Sequence, residues 1–115
     1  MSGEVHIQRV SPDVCVAGQL GPESMAAVAA HGFRSVINNR PDFEAGPMQP
    51  TSADIETAAR AAGLAYAFLP VAPAVQSAAE IARMAELVAA LPKPILAFCR
   101  TGARSGRLYI AGTQA

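Results

Sequence analysis

No block of like charge, no internal repeat and no apolar run of membrane-spanning length occurs in this 115-residue sequence. Nine basic residues balance nine acidic ones, so the positive field of an unspecific polyanion binder is missing and nucleic acid is not an expected partner. The opening Met1-Ser2-Gly3-Glu4-Val5-His6 has neither the basic start nor the apolar centre of a secretion signal. There are two cysteines, Cys15 and Cys99, far apart and outside any CxxC pair, and two histidines, His6 and His31. That set has no metal-ligand spacing, so neither a metal nor another cofactor is expected. Without a signal, free thiols in a reducing, cytoplasmic setting are expected, with no membrane partner.

What is present is hydrophobic: 51% of residues are apolar and 16% are charged, the balance of a packed globule. At this length residues 1–115 are expected to form one domain, burying about two-thirds of its unfolded surface. Short β-type runs alternate with alanine-rich helical runs, which reads as α/β with a mostly parallel sheet. Strands are predicted over 5–10 and 14–17, as two short strands or an edge hairpin, and over 35–38, 66–69 and 95–98. Helices are predicted over 25–31, 53–62 and from the cap Ser77 through Leu91, with a last one from Ser105 to Ala111 that Gly106 and Gly112 weaken. The glycine- and proline-rich stretch 43–50 is the expected mobile loop.

Chemistry concentrates after the most buried strand, in Cys99-Arg100-Thr101-Gly102-Ala103-Arg104-Ser105. In a parallel sheet ligands bind beyond the carboxyl ends of the strands, where helix N-termini converge. The helix opening near Ser105 aims unpaired N–H groups and positive dipole at the loop. Gly102 lets the backbone curl into a nest of amides, and Arg100 and Arg104 supply guanidinium forks suited to an oxyanion. A thiol in that field ionises more readily than a free one, so Cys99 is the expected nucleophile. Cys15, in a strand without such neighbours, reads as a packing residue.

Phe98-Cys99-Arg100-Thr101-Gly102-Ala103-Arg104-Ser105, preceded by Val16-Ala17-Gly18-Gln19-Leu20 and Val36-Ile37-Asn38-Asn39-Arg40-Pro41-Asp42, resembles the phosphatase-like domain of the beta-lactamase hydrolase-like (DUF442) family. The resemblance runs from about Val10 to the end of the chain. It implies a three-layer α/β fold like that of dual-specificity phosphatases, with a central sheet of four or five strands flanked by helices. It also implies Cys99 as nucleophile, the backbone from Arg100 through Thr101, Gly102 and Ala103 as oxyanion cradle, Arg104 as clamp and the Ser105 hydroxyl as donor to the thiolate. Asn38, Asn39, Arg40 and Asp42 would form a neighbouring wall. As a turn built from asparagine and proline, the same residues have a purely structural reading too.

Two chemistries follow from that resemblance. Protein tyrosine phosphatases place five residues between cysteine and arginine, usually with histidine before the cysteine. Here four residues intervene and Phe98 stands in the histidine's place, which looks like the loop of rhodanese-type sulfurtransferases. Expelling an alkoxide calls for a general acid, and Pro70-Val71-Ala72-Pro73-Ala74-Val75-Gln76 offers no carboxylate. Sulfite leaving thiosulfate needs no proton. The expectation is therefore a sulfurtransferase carrying sulfane sulfur on Cys99 from thiosulfate or a persulfide to a thiol or cyanide. The alternative is a phosphocysteine phosphatase with Asp42 as substitute acid; a further one is a non-catalytic anion-binding module. The substrate is a small anion in the first two readings. Partners implied are a metallo-beta-lactamase-like persulfide dioxygenase, as in fused relatives, and a second copy packed on a sheet that the short last helix leaves partly uncovered.

Overall fold

The structure, a computed structural model, describes residues 7–113. Val5 and His6, the start of the first predicted strand, lie outside the described residues. Strand β1 (Ile7–Ser11) turns back through Pro12 and Asp13 into β2 (Val14–Ala17), an antiparallel hairpin at one edge of the sheet. The Ser11 hydroxyl holds that turn by accepting from the Asp13 and Val14 amides.

Beyond the hairpin every pairing is parallel. With β3 (Ser35–Asn38), β4 (Ala65–Phe68) and β5 (Ile95–Phe98), the sheet runs β1-β2-β5-β3-β4. β5 lies at the centre, pairing with β2 on one side and β3 on the other, so Phe98 is level with both Ala17 and Asn38. The last strand in sequence is thus the most enclosed, as its unbroken apolar run Ile95-Leu96-Ala97-Phe98 requires when both faces are covered. This is the α/β, mostly parallel architecture expected, with five strands.

Side chains alternate between the two faces at the strand period of two. Val36, Leu96 and Phe98 pack with Met25 and Val28 of α1 (Met25–Ala30) and Ile55 and Ala59 of α2 (Ser52–Ala61). On the opposite face, Ile37, Ile95 and Ala97 meet Met84 and Leu87 of α3 (Ala78–Ala90) and Leu108 of α4 (Ala103–Thr113). Three layers result, with a core on each side of the sheet.

Helix starts follow local chemistry. Thr51 caps α2 by accepting from the Asp54 amide, and Ser77 caps α3 in a reciprocal box with Glu80, contacts worth about 1 kcal/mol each. α4 begins at Ala103, two residues before the predicted start, which brings Arg104 and Ser105 into its first turn. Gly112, read from sequence as a weak point, has a packing role: a Cβ there would sit 3.3 Å from the Ala85 Cβ and 3.4 Å from the Ile81 carbonyl oxygen. Its bareness lets α4 lie close against α3. An apolar groove of about 270 Å³ remains between these helices, bordered by Met84, Val88 and Tyr109.

Candidate active site

The four parallel strands end along one edge of the sheet, and the residues that leave them meet there. The chain exits β5 directly into Cys99, which is 1% exposed. The Cys99 amide donates to the Ala17 carbonyl at 3.2 Å, and the Gln19 amide donates to the Arg100 carbonyl at 3.2 Å, so the loop leans on the exit of β2. Two glycines permit this. A Cβ on Gly18 would lie 3.1 Å from the Arg100 oxygen, and one on Gly102, whose φ is +95°, would lie 3.4 Å from the backbone of Ala17. Gly102 therefore combines a left-handed turn with a close approach that other residues reach only under strain.

Within this curl the Gly102 amide donates to the Cys99 sulfur at 3.1 Å. Burial, the largest single influence, pushes the thiol up. Hydrogen bonds from the Ser105, Thr101 and Gly102 amides, joined by the Ser105 side chain, outweigh it and hold Cys99 below the ordinary thiol range. The Ser105 hydroxyl has one proton and two acceptors in reach. It donates to Asn39 Oδ1 at 2.8 Å, and turning it toward sulfur supplies the side-chain bond that favours the thiolate. Asn39 is fixed in turn, its Nδ2 donating to the Leu69 carbonyl at 3.1 Å and its own amide to the Phe98 carbonyl at 2.9 Å.

Because amide donors favour the charged form, the thiolate fraction grows with pH and levels off earlier than in a free thiol. We expect the far-ultraviolet thiolate absorbance of the wild type, with that of the Cys99→Ser variant subtracted, to titrate with a midpoint below that of N-acetylcysteine. A midpoint equal to or above it would contradict the amide cradle.

Arg104, 5% exposed, places its guanidinium between two loops. Nη1 donates to the Val71 carbonyl at 3.0 Å and to Glu44 Oε2 at 3.1 Å, and Nη2 donates to Glu44 Oε1 at 3.2 Å. Arg40 reaches the same carboxylate, Nε to Oε1 at 2.7 Å, while its Nη1 donates to Gln19 Oε1 at 2.8 Å. Burial pushes the Glu44 carboxyl up, but the hydrogen bonds and charges of Arg104 and Arg40 prevail and hold it below the usual carboxylate range. Glu44, Gln19 and the Val71 carbonyl were not singled out from sequence. The only local sign of Glu44 was an arginine four residues earlier, in a stretch that is not helical.

The structure brings together Cys99, the Thr101 and Gly102 amides, Arg104, Ser105, Asn39 and Arg40. Ala103 opens α4, and its amide donates to Thr101 Oγ1 at 3.3 Å. Arg100 does not join the cluster through its side chain: it is exposed, with no hydrogen bond to the described residues, and its carbonyl serves the loop instead. Asp42 is directed elsewhere, since Oδ1 accepts from the Ser52 amide at the start of α2 at 2.7 Å. Asn38 accepts from the Arg40 amide and donates to the Tyr66 hydroxyl. The two behave as turn residues, the structural reading of that motif. The stretch expected to be mobile is closed on itself, as Gln49 accepts from the Ala45 amide and donates to the Pro41 carbonyl, both at 2.8 Å.

A buried cysteine at the end of a central parallel strand, curled amides and an arginine in the following helix are the arrangement of a phosphatase-like domain. The chain belongs to the family described as beta-lactamase hydrolase-like protein, phosphatase-like domain, whose model matches residues 6–115. A beta-lactamase hydrolase-like protein of Agrobacterium fabrum (strain C58 / ATCC 33970) is 36% identical over 104 residues, covering 90% of this chain and 24% of that protein. The chain thus spans a minor part of that relative's length. Among solved structures, a candidate phosphatase from Neisseria meningitidis Z2491 is 28% identical with a TM-score of 0.82, covering 90% of this chain and 72% of the other. TpbA of P. aeruginosa, solved in complex with pTyr, has a TM-score of 0.67 at 17% identity, covering 97% and 68%. That likeness is one of fold.

Proposed function

We propose that the protein is a cysteine-dependent phosphatase for small phosphate esters whose leaving group departs without help from an acid. The observation that carries this reading is the pairing of a thiolate cradled by the Ser105, Thr101 and Gly102 amides with a buried Arg104 in the first turn of α4. The sulfur attacks phosphorus, an S–P bond forms, and the P–O bond breaks with its electron pair leaving on the ester oxygen. Water then attacks the phosphocysteine, releasing inorganic phosphate and returning the thiolate.

The two carboxylates nearest these groups in the chain are already engaged. Glu44 is ionised between two arginines, and Asp42 Oδ1 accepts from the Ser52 amide. This favours aryl esters, whose oxide is a stable anion. The loop carrying Glu44 offers apolar surface to such a group, with Phe43 60% exposed at a φ of +63° and Met48 91% exposed. A bulky side chain held at positive φ is strained and concentrates at functional rims. The phosphatase class of the family and the pTyr complex of TpbA support the same reading.

Sulfur transfer is the second reading, favoured by the four-residue spacing from Cys99 to Arg104 and by the same lack of an acid. There the thiolate attacks the outer sulfur of thiosulfate, sulfite leaves with the S–S electron pair, and the persulfide passes its sulfur to cyanide or a thiol. A persulfide dioxygenase or a second copy as partner belongs to this proposal.

One preparation tests both. We expect steady phosphate release from p-nitrophenyl phosphate, and no stable mass gain after thiosulfate treatment. A gain of one sulfur on Cys99 by intact mass spectrometry, without phosphate release, would transfer the conclusion to the sulfurtransferase.

A further inference from the structure

A guanidinium carries five N–H bonds in one plane, and three of those on Arg104 are engaged. Both N–H groups of Nη1 are taken, one by Glu44 and one by the Val71 carbonyl, and one of Nη2 is taken by Glu44. The two left over are the Nε–H and the second Nη2–H, which lie parallel along a single edge of the fork. Nε is fully buried and has no partner among the described residues, and a dry donor without an acceptor is costly enough to call for an explanation.

Glu44 is itself firmly placed. Arg40 grips it at 2.7 Å and is held from behind by Gln19, while Gln49 closes the loop that carries it. We infer that Glu44 is a positioning residue: by gripping the far end of the Arg104 guanidinium, it presents the Nε edge as a two-pronged clamp for the oxygens of an anion cradled at Cys99. The inference rests on the oxyanion-binding reading that both proposed chemistries share.

A competing view makes the carboxylate a plug occupying the anion's own seat. The geometry opposes it, because Glu44 takes the end of the fork and leaves the parallel Nε and Nη2 donors vacant. The two views predict opposite signs. A plug weakens anion binding, so removing it raises affinity; a positioning residue strengthens binding, and removing it lowers affinity.

The test is a double-mutant cycle of Glu44→Ala and Arg104→Ala on the full chain, read by the rise in melting temperature with sodium tungstate and by p-nitrophenyl phosphate kinetics. Glu44→Ala is expected to lower kcat/KM about 10- to 100-fold, the scale for a group that orients a site residue, and to remove most of the tungstate effect. In the Arg104→Ala background the same change is expected to matter by less than about twofold, since its route is already gone. Tighter tungstate binding by Glu44→Ala overturns the inference in favour of a plug. Undiminished, independent effects in the double variant overturn it in favour of a purely structural carboxylate. If Glu44→Ala shows no cooperative melt, Glu44→Gln keeps the shape without the charge and completes the cycle. A wild type that binds tungstate yet releases no phosphate defeats the phosphatase reading, while the tungstate arm still decides the role of Glu44.

Discussion

Cys99→Ser is expected to lower kcat/KM toward p-nitrophenyl phosphate by a factor on the order of 10⁴ or more, the scale seen when a covalent nucleophile is removed. The substitution exchanges sulfur for a smaller oxygen at a buried position, so packing changes little. Its alcohol stays protonated at neutral pH, and Phe98 rather than a histidine precedes it. The cradle of amides remains, so tungstate should still raise the melting temperature of the variant. Turnover near the wild-type level would remove Cys99 from the mechanism. Loss of turnover together with loss of tungstate binding would instead point to a collapsed loop.

Arg104→Lys is expected to lower kcat/KM about 10²- to 10³-fold, comparable to deleting a donor from a preorganised oxyanion site. Charge is conserved, but lysine offers a point rather than a planar fork and cannot hold Glu44, the Val71 carbonyl and an anion together. The measurement is steady-state kinetics across a range of substrate concentrations, with the loss expected in both KM and kcat because the clamp holds the bound ester and its transition state. An unchanged kcat/KM would show that positive charge alone suffices, and the clamp geometry would be irrelevant.

Much of the fold was legible because local signals agreed with one another. The runs Ser35-Val36-Ile37-Asn38 and Ile95-Leu96-Ala97-Phe98 became strands with the predicted bounds, and Ser77 capped its helix as its glutamate three residues on required. The curl of the loop after β5 was legible for the same reason: glycine, arginines and cysteine are neighbours in sequence. What escaped notice was built from distant parts. Glu44 and Arg104 are sixty positions apart, and the Val71 acceptor is a backbone carbonyl that no side-chain motif records. The bond from the Ser52 amide to Asp42 Oδ1 likewise joins residues ten positions apart, and no local motif records it.

The expectation of sulfur transfer rested on loop length and on the missing acid, and those two facts stand. The missing acid does not distinguish sulfite from an aryl oxide as the departing anion, which leaves loop length alone on the side of sulfur transfer. Membership in a phosphatase-like family favours the hydrolytic alternative.

The central position of β5 bears on how this enzyme fails. Edge strands fray on one side with little consequence, but Ile95–Phe98 has a neighbour on each flank, and its amides exchange with solvent only when the sheet parts as a whole. The reactive sulfur is therefore moored to the most persistent segment of the molecule. Loss of p-nitrophenyl phosphate turnover on heating is accordingly expected to follow the global melt, and inactivation well below the melting temperature would contradict this.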